Sequence, residues 1–209
     1  MNSLIEIIVM FERFFRRIRK ITQIYYKFLL QRTSVWKEIE RFKALAPFDK
    51  SYIHYAKYYV LYNTMRTIRP GFVLELGSGI STLIIGHALA ENRHGILISM
   101  EENKEYGQKV LEILGKGYPV EMHIEPAIED FYMGFRGHRY RLIPQKPFDF
   151  IFIDGPRTTE VDLDAFYVLE NCSHARVIID NRKKTFAAFQ SKFPARFNKL
   201  INIGYINYA

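Results

Sequence analysis

The stretch over residues 73–82 most constrains what this chain can fold into. It reads Val-Leu-Glu-Leu-Gly-Ser-Gly-Ile-Ser-Thr, and the apolar run over residues 72–76 predicts a short buried strand. A turn rich in Gly and Ser follows, and residues 82–92 then carry a helical apolar pattern. Strand, glycine turn and helix in this order build a nucleotide pocket at the carboxyl end of the first strand of an α/β sheet. Gly77 and Gly79 lack a Cβ, so the backbone can turn tightly there and a ligand can approach closely.

Residues 75–82 resemble the first motif of the class I S-adenosylmethionine (SAM)-dependent methyltransferases. The turn departs from the dinucleotide fingerprint G-x-G-x-x-G because Thr82 stands where the third Gly would be, which speaks against an NAD-dependent or other nucleotide-using enzyme of like topology. The resemblance implies an α/β fold with a doubly wound, mostly parallel sheet in the order 3-2-1-4-5 plus an end hairpin. It also implies SAM as cofactor, contacted by residues of this motif: Glu75, Gly77, Ser78, Gly79, Ser81 and Thr82.

A second apolar run, residues 96–100, predicts a buried strand that ends in the acidic pair Glu101 and Glu102. Glu101 follows Gly79 by 22 residues, close to the ~20 at which an acidic residue meets the ribose hydroxyls in doubly wound folds. A carboxylate suits this role because it can accept hydrogen bonds from both hydroxyls. The resemblance therefore implies that Glu101 binds the ribose of SAM, with Glu102 beside it.

The segment after the predicted third strand, residues 120–124, should border the adenine and the substrate cleft. The resemblance implies that Ala127 and Ile128 lie beside the adenine. Residues 131–147 show no clear period and predict a loop or short helix at the rim of the cleft. His138 lies in this segment and is a candidate general base, whereas no two of the six histidines have a ligand spacing such as His-x3-His.

A central strand is predicted over residues 148–153, and it delivers Asp154 at its carboxyl end, where such sheets bind ligands. The sequence Phe-Asp-x-Ile-x-Ile-Asp-Gly-Pro is again close to the methyltransferase pattern, which makes Asp154 a candidate cofactor-binding and catalytic residue. A helix over residues 159–170 and a fifth strand over residues 175–179 follow. That strand ends in Asp180-Asn181, so these side chains and Asp154 are expected to converge.

Two carboxylates and an amide oxygen make a hard oxygen site suited to Mg²⁺. The set Asp154, Asp180 and Asn181 resembles that of the divalent-metal-dependent O-methyltransferases of the catechol type, whose metal binds a substrate hydroxyl pair and acidifies the attacking oxygen. Those enzymes place a lysine base three residues after the first Asp, where this chain has Arg157. Arg is never deprotonated in proteins, so Arg157 can hold a substrate phosphate or carboxylate but cannot be the base. The alternative is that Asp180 and Asn181 cap the next helix.

The net charge of +8 is concentrated at the amino terminus, since residues 1–43 carry ten Lys and Arg against four Glu. Residues 4–29 predict one amphipathic helix with a wide apolar face, which includes the seven-residue repeat Ile7, Phe14, Ile21 and Phe28. Two interpretations stay open: the helix packs on its own domain or on a partner protomer, or it lies on an anionic membrane surface. The rest of the chain is nearly balanced in charge, which argues against a nucleic-acid groove.

Two further helices, residues 35–45 and 50–68, complete a predicted helical extension over residues 1–69, ahead of a SAM-binding domain over residues 70–209. Four tyrosines of the later helix share one face. They form either an amphipathic core face with wet hydroxyls or a surface from which one tyrosine reaches the pocket. These are Tyr52, Tyr55, Tyr59 and Tyr62.

The composition restricts the kinds of site and the classes of function that this chain can have. Cys172 is the single cysteine, so neither an intrachain disulfide nor a Cys-rich metal site is possible, and a cytoplasmic setting is expected. No apolar run reaches the ~18 residues of a membrane span. The chain lacks the Asn-Pro-Pro-Tyr type of run found in amino-methylating nucleic-acid enzymes, which favours oxygen as the acceptor atom. We therefore expect methyl transfer from SAM to an oxygen of a small-molecule or glycan-like acceptor. The alternative is a non-catalytic SAM-fold protein that acts as a membrane or assembly module.

Overall fold

The structure is a computed structural model that describes residues 20–46, 54–156, 160–180, 182–194 and 206–208. The described residues form nine strands, which are, in chain order, β1 Phe72–Leu76, β2 Ile96–Glu101, β3 Val120–Ile124, β4 Ala127–Tyr132, β5 Phe135–Tyr140, β6 Phe150–Ile153, β7 Val161–Asp162, β8 Arg176–Asp180 and β9 Ile206–Tyr208. They also form seven helices, which are α1 residues 20–30, α2 Val35–Leu45, α3 Tyr55–Ile68, α4 Ile80–Asn92, α5 Lys104–Leu114, α6 Asp164–Asn171 and α7 Lys183–Lys192.

The main sheet has the order β3-β2-β1-β6-β8-β9. Its first five strands run parallel, and β9 pairs antiparallel with β8. The predicted order 3-2-1-4-5 is therefore confirmed, and β9 lies within the second strand of the predicted end hairpin. The first strand of that hairpin, residues 198–203, lies outside the described residues.

The connections between parallel strands put helices on both faces of the sheet, so its central strands are mostly apolar, as in Phe-Ile-Phe-Ile of β6. Side chains alternate between the two faces along each strand. In β6, Phe150 and Phe152 join a core cluster with α2, α3, α4 and α5, whereas Ile151 and Ile153 join a second cluster with α6 and α7. The predicted doubly wound architecture is confirmed by this division.

A second sheet, in the order β4-β5-β7, includes the first part of the segment predicted as a loop or short helix over residues 131–147. That prediction was wrong for residues 131–140, whereas residues 141–147 form a loop. Strands β4 and β5 form an antiparallel hairpin around Met133 and Gly134, which both have positive φ angles of 51° and 88°. Two residues with positive φ make the type I′ turn whose twist matches flanking strands. The sequence hid this hairpin because charged residues interrupt its apolar alternation, as in Phe-Arg-Gly-His-Arg-Tyr of β5.

The helix predicted over residues 159–170 begins later than expected, at Asp164. Residues 161–162 instead pair with β5 as strand β7, and residues 157–159 lie outside the described part of the chain.

The amino-terminal helices pack against the part of the chain that follows residue 70. Leu30, Ile39 and Phe42 are buried in the same cluster as residues of α3 and α4. Helix α2 has the predicted bounds, whereas α3 begins at Tyr55 and not at residue 50, because His54 is its non-helical N-cap. The amphipathic helix predicted over residues 4–29 is helical where it is described, from residue 20, and its earlier part lies outside the described residues. The predicted division after residue 69 stays a prediction, and helices on both sides of it share one core cluster.

No helix in the described part of the chain has both the length and the apolar character needed to cross a membrane.

Asp149 joins the beginnings of β1 and β6. Its Oδ2 accepts hydrogen bonds from the backbone N–H groups of Gly71 at 2.7 Å and Phe72 at 3.0 Å. We expect Asp149→Ala to lower the free energy of unfolding by about 1–3 kcal/mol, because two backbone donors lose their partner. Asp149→Asn keeps an acceptor oxygen and should cost less. Denaturant unfolding of the three proteins checks this, and equal midpoints for wild type and Asp149→Ala would contradict it.

Candidate active site

The carboxyl ends of the five parallel strands form one edge of the sheet, and most of the predicted site residues lie there. The N–H of Gly77, after β1, donates to the Met100 carbonyl of β2 at 3.0 Å. The N–H of Asp154, after β6, donates to the Leu76 carbonyl of β1 at 2.8 Å. These bonds hold the turns after β1 and β6 at the edge where sheets of this kind bind ligands.

The turns after β1 and β6 are in direct backbone contact. Gly77 has a φ of +92°, and a Cβ on it would lie 2.7 Å from the Gly155 nitrogen. A Cβ on Gly155 would in turn lie 2.5 Å from the Gly77 Cα. Sequence reasoning assigned Gly77 to the approach of the cofactor, and the structure adds that no side chain fits between the two turns.

The glycine turn is held from inside by Glu75. The Thr82 hydroxyl accepts from the Gly79 N–H at 2.9 Å and donates to Glu75 Oε2 at 2.6 Å. The Ser99 hydroxyl donates to the same oxygen at 2.7 Å. Glu75 is fully buried, and burial raises the pKa of its carboxyl to about 7. Within the described residues, Glu75 and Thr82 thus support the turn from the protein side, and Ser81 is buried in the first turn of α4.

Glu101 contacts the glycine turn, as the spacing predicted. Its Oε2 accepts from the Ser78 hydroxyl at 2.6 Å and the Ser78 N–H at 3.1 Å, and its Oε1 accepts from the Asn103 N–H at 2.9 Å. A carboxylate has about four acceptor positions, so Glu101 can still accept from a ribose hydroxyl, and Ser78 can yield its position. Glu102 follows and is half-buried. Ribose binding by this pair stays a prediction.

The predicted adenine-bordering residues begin strand β4. The N–H of Glu125 donates to the Glu101 carbonyl at 2.9 Å, which holds the connection before β4 next to the end of β2. Ala127 and Ile128 follow and are half-buried. Their contact with adenine stays a prediction.

Lys57 is the functional candidate that sequence reasoning missed. It lies on α3, and its Nζ is 2.5 Å from Asp180 Oδ2 and 3.3 Å from Asp154 Oδ2. Burial disfavours the charged ammonium, but Asp154 and Asp180 outweigh burial and raise the pKa of Lys57 above its ordinary value. Burial also raises the pKa of Asp154 to about 6, against the opposing effect of Lys57. The signal in the sequence was the helix from which a tyrosine could reach the pocket, because Lys57 lies on that same helix.

The predicted metal residues are brought together in part. Asp154 and Asp180 face the same ammonium, whereas Asn181 and Arg157 lie outside the described residues. Among the residues that the structure describes, no group of three or more His, Cys, Asp or Glu side chains can hold a metal ion. The full metal set and the role of Arg157 stay predictions.

Arg182 supports the turn that carries Asp154, and the sequence did not predict this role. Its Nη1 donates to the Pro156 carbonyl at 2.6 Å and to Asp162 Oδ1 at 3.1 Å, and its Nη2 donates to the Asp154 carbonyl. Three contacts from one guanidinium fix both backbone and side chains. Arg182, not Asp180, is the residue that immediately precedes helix α7.

His138 lies in β5 of the second sheet, where it pairs with Glu129 of β4 and Asp162 of β7. A hydrogen bond from Arg136 lowers the pKa of Glu129 and one from Lys184 lowers the pKa of Glu160, and His138 adds a smaller effect in the same direction on both. A role of His138 as general base stays a prediction.

Glu75 gives a pH prediction. Its folded pKa of about 7 lies above its ordinary value of 4.5, so the folded state holds the proton more tightly and loses stability as pH rises through that window. Glu75→Gln keeps an acceptor oxygen and cannot ionise. We expect the free energy of unfolding of wild type to fall relative to this variant by about 3 kcal/mol between pH 4.5 and pH 7. Denaturant unfolding across this range checks it, and parallel pH curves would contradict it.

Solved structures with a similar fold are methyltransferases. An O-methyltransferase from Bacillus cereus in complex with S-adenosylhomocysteine (SAH) has a TM-score of 0.59 at 17% identity, over 90% of this chain and 94% of that chain. TomG from Streptomyces achromogenes, an O-methyltransferase of tomaymycin synthesis in complex with SAM, has a TM-score of 0.58 at 16% identity, over 90% and 93%. The SAH-bound methyltransferase PaMTH1 from Podospora anserina has a TM-score of 0.54 at 16% identity, over 82% and 85%. At these identities the similarity shows the fold.

The family is shown by the sequence itself. No curated protein matches the chain. The methyltransferase domain family matches residues 74–188, which is more than half of the chain and spans the turn after β1, the end of β2 and the turn after β6. The chain therefore belongs to the methyltransferase domain family.

Proposed function

We propose that this protein is a SAM-dependent O-methyltransferase. The observation that carries the proposal is the edge where the glycine turn after β1 meets Glu101 on one side and the Asp154 turn on the other. The contact with Glu101 suits a nucleoside with free ribose hydroxyls. The contact with the Asp154 turn puts a carboxylate beside that nucleoside, where an acceptor can bind. The similar structures from Bacillus cereus and Streptomyces achromogenes, which hold SAH and SAM, support the assignment.

Each group of residues has one task in this proposal. When bound, SAM supplies a methyl group on its sulfonium. The backbone of residues 77–79 faces the methionine end, Glu101 accepts from the ribose with Glu102 beside it, and Ala127 and Ile128 border the adenine. Methyl transfer is an in-line displacement, so most of the rate enhancement comes from holding the acceptor oxygen in position.

An acceptor hydroxyl fits the side of the site at Asp154. This side chain is about one-third exposed, at 36%, whereas Lys57 and Asp180 beside it are 11% and 10% exposed. A carboxylate backed by an ammonium can accept the hydrogen of a hydroxyl and hold its oxygen. We propose a small-molecule or glycan-like acceptor, with Arg157 and His138 as candidates at the rim. The alternative of Mg²⁺ held by Asp154, Asp180 and Asn181 would use the same side of the site.

A second proposal concerns the outer face of helix α1. Ile21, Ile24, Tyr25 and Phe28, here called the α1 stripe, are between 48% and 69% exposed. The opposite side of α1 packs on α3. Tyr26 contacts the ring of Tyr59 at 5.5 Å, and the Gln23 side chain accepts from the Ala56 N–H at 3.4 Å.

We propose that the α1 stripe contacts an anionic membrane surface, so that the protein is peripheral at the cytoplasmic face. Residues 1–43 carry ten basic and four acidic side chains. An anionic surface attracts such a segment, whereas a second copy brings the same positive charge against it. Homo-oligomerisation through residues 4–29 is the rival, and it is an outcome of the test.

The cofactor is tested by calorimetric titration with SAH. We expect wild type to bind with a Kd on the order of micromolar, and Glu101→Ala to weaken binding by about 1–3 kcal/mol because charged hydrogen bonds to the ribose are lost. Ser78→Ala removes only the hydroxyl that donates to Glu101. It therefore tests the contact between Glu101 and the turn apart from ribose binding, and it should weaken SAH binding less than Glu101→Ala does. Absent binding by wild type, or equal affinities for wild type and Glu101→Ala, would overturn the cofactor assignment.

The membrane proposal is tested by sedimentation with vesicles. We expect wild type to sediment with vesicles that contain phosphatidylserine but not with neutral ones, and to be released by salt, since each basic residue contributes about 1 kcal/mol that salt screens. Ile24→Glu should abolish sedimentation without changing the melting temperature. Leu142→Glu is the matched control, because Leu142 is equally exposed outside the extension.

The rival occupant gives a different result in the same series. A concentration-dependent dimer of wild type that Ile24→Glu converts to monomer, together with no vesicle binding, would show that a second copy covers the α1 stripe.

A further inference from the structure

The geometry points to Lys57 as the resident cation of the acceptor site, so that methyl transfer here proceeds without a divalent metal. This inference rests on the proposed function, because it concerns the same side of the site. Its basis is the position of the Lys57 ammonium between the carboxylates of Asp154 and Asp180, 3.3 Å and 2.5 Å away. The sequence-based hypothesis places Mg²⁺ at these two carboxylates, together with Asn181.

The two strand ends require a cation. Asp154 and Asp180 follow or end adjacent strands, and their carboxylates would repel one another without a cation between them. Lys57 and Asp180 are about nine-tenths buried, and a buried ammonium with an ionic partner is costly to separate from it. The lysine therefore already supplies the compensating charge that a metal ion would bring.

A divalent ion and the ammonium exclude each other. The distances leave no room for a second cation between Lys57 and Asp180, since a salt bridge of 2.5 Å is a direct contact. To bind there, Mg²⁺ would have to expel the ammonium from two carboxylates and leave it buried without them. The described donor set thus fits a lysine better than a metal.

The surrounding contacts keep the ammonium in this position. Arg182 fixes the Asp154 turn through backbone carbonyls, and the Gly77–Gly155 contact fixes it against β1. Lys57 reaches the turn from α3, which packs on α4 through the first core cluster. An ammonium has three donors, of which Asp154 and Asp180 take two. The third can donate to the acceptor oxygen and stabilise its negative charge as the methyl group is transferred.

The test measures Mn²⁺ binding to wild type, Lys57→Ala, Asp180→Asn and the double variant Lys57→Ala/Asp180→Asn by electron paramagnetic resonance. Wild type should show no site that depends on Asp180. Lys57→Ala should gain one Mn²⁺ site, tighter than any in wild type by about tenfold or more, because the competing positive charge is gone. The double variant should lose it. Lys109→Ala, which removes a lysine paired with Glu105 on the exposed face of α5, is the matched control and should behave as wild type.

One result overturns the inference: wild type binds Mn²⁺ as tightly as Lys57→Ala does, and Asp180→Asn alone removes the site. If Lys57→Ala does not fold, Lys57→Gln takes its place. If neither variant folds, the comparison of wild type with Asp180→Asn decides. The SAH titration described under the proposed function uses no metal and tests the contact between Glu101 and the ribose. Failure of SAH binding therefore rejects the proposed function, whereas an Asp180-dependent Mn²⁺ site in wild type rejects only the role of Lys57.

Discussion

The close contact between the backbones of Gly77 and Gly155 determines the candidate active site. Each glycine lies where a Cβ would overlap the other turn, so the turns after β1 and β6 can pack back to back. The Asp154 N–H then reaches the Leu76 carbonyl at 2.8 Å, which puts its carboxylate next to the glycine turn. A larger residue at either position would force the two turns apart and separate the cofactor side from the acceptor side.

The same edge concentrates negative charge, and two cations from outside the sheet balance it. Lys57 of α3 pairs with Asp154 and Asp180, and Arg182 pairs with Asp162 while it binds the carbonyls of the Asp154 turn. Without these partners, burial would raise the pKa values of the carboxylates and lower the free energy of unfolding. Helix α3 therefore contributes a charge to the site as well as apolar surface to the core.

The fold was largely predictable, because it follows from local patterns. The apolar run over residues 72–76 predicted a buried strand, and the resemblance of residues 75–82 to a methyltransferase motif implied the strand order. The spacing of 22 residues from Gly79 predicted that Glu101 lies beside the glycine turn. The pairing of Lys57 was not predictable, since it joins residues 97 and 123 positions apart through helix packing. The hairpin within residues 131–147 was missed because its strands alternate weakly and its turn contains a non-glycine residue with positive φ.

A crystal structure of wild type grown with SAH and Mn²⁺, with anomalous differences recorded for manganese, tests the central claim most directly. We expect SAH at the end of β1 with its ribose hydroxyls on Glu101, and the Lys57 ammonium between Asp154 and Asp180 with no anomalous peak there. An anomalous peak between these two carboxylates with Lys57 displaced, or SAH density away from the glycine turn, would contradict it.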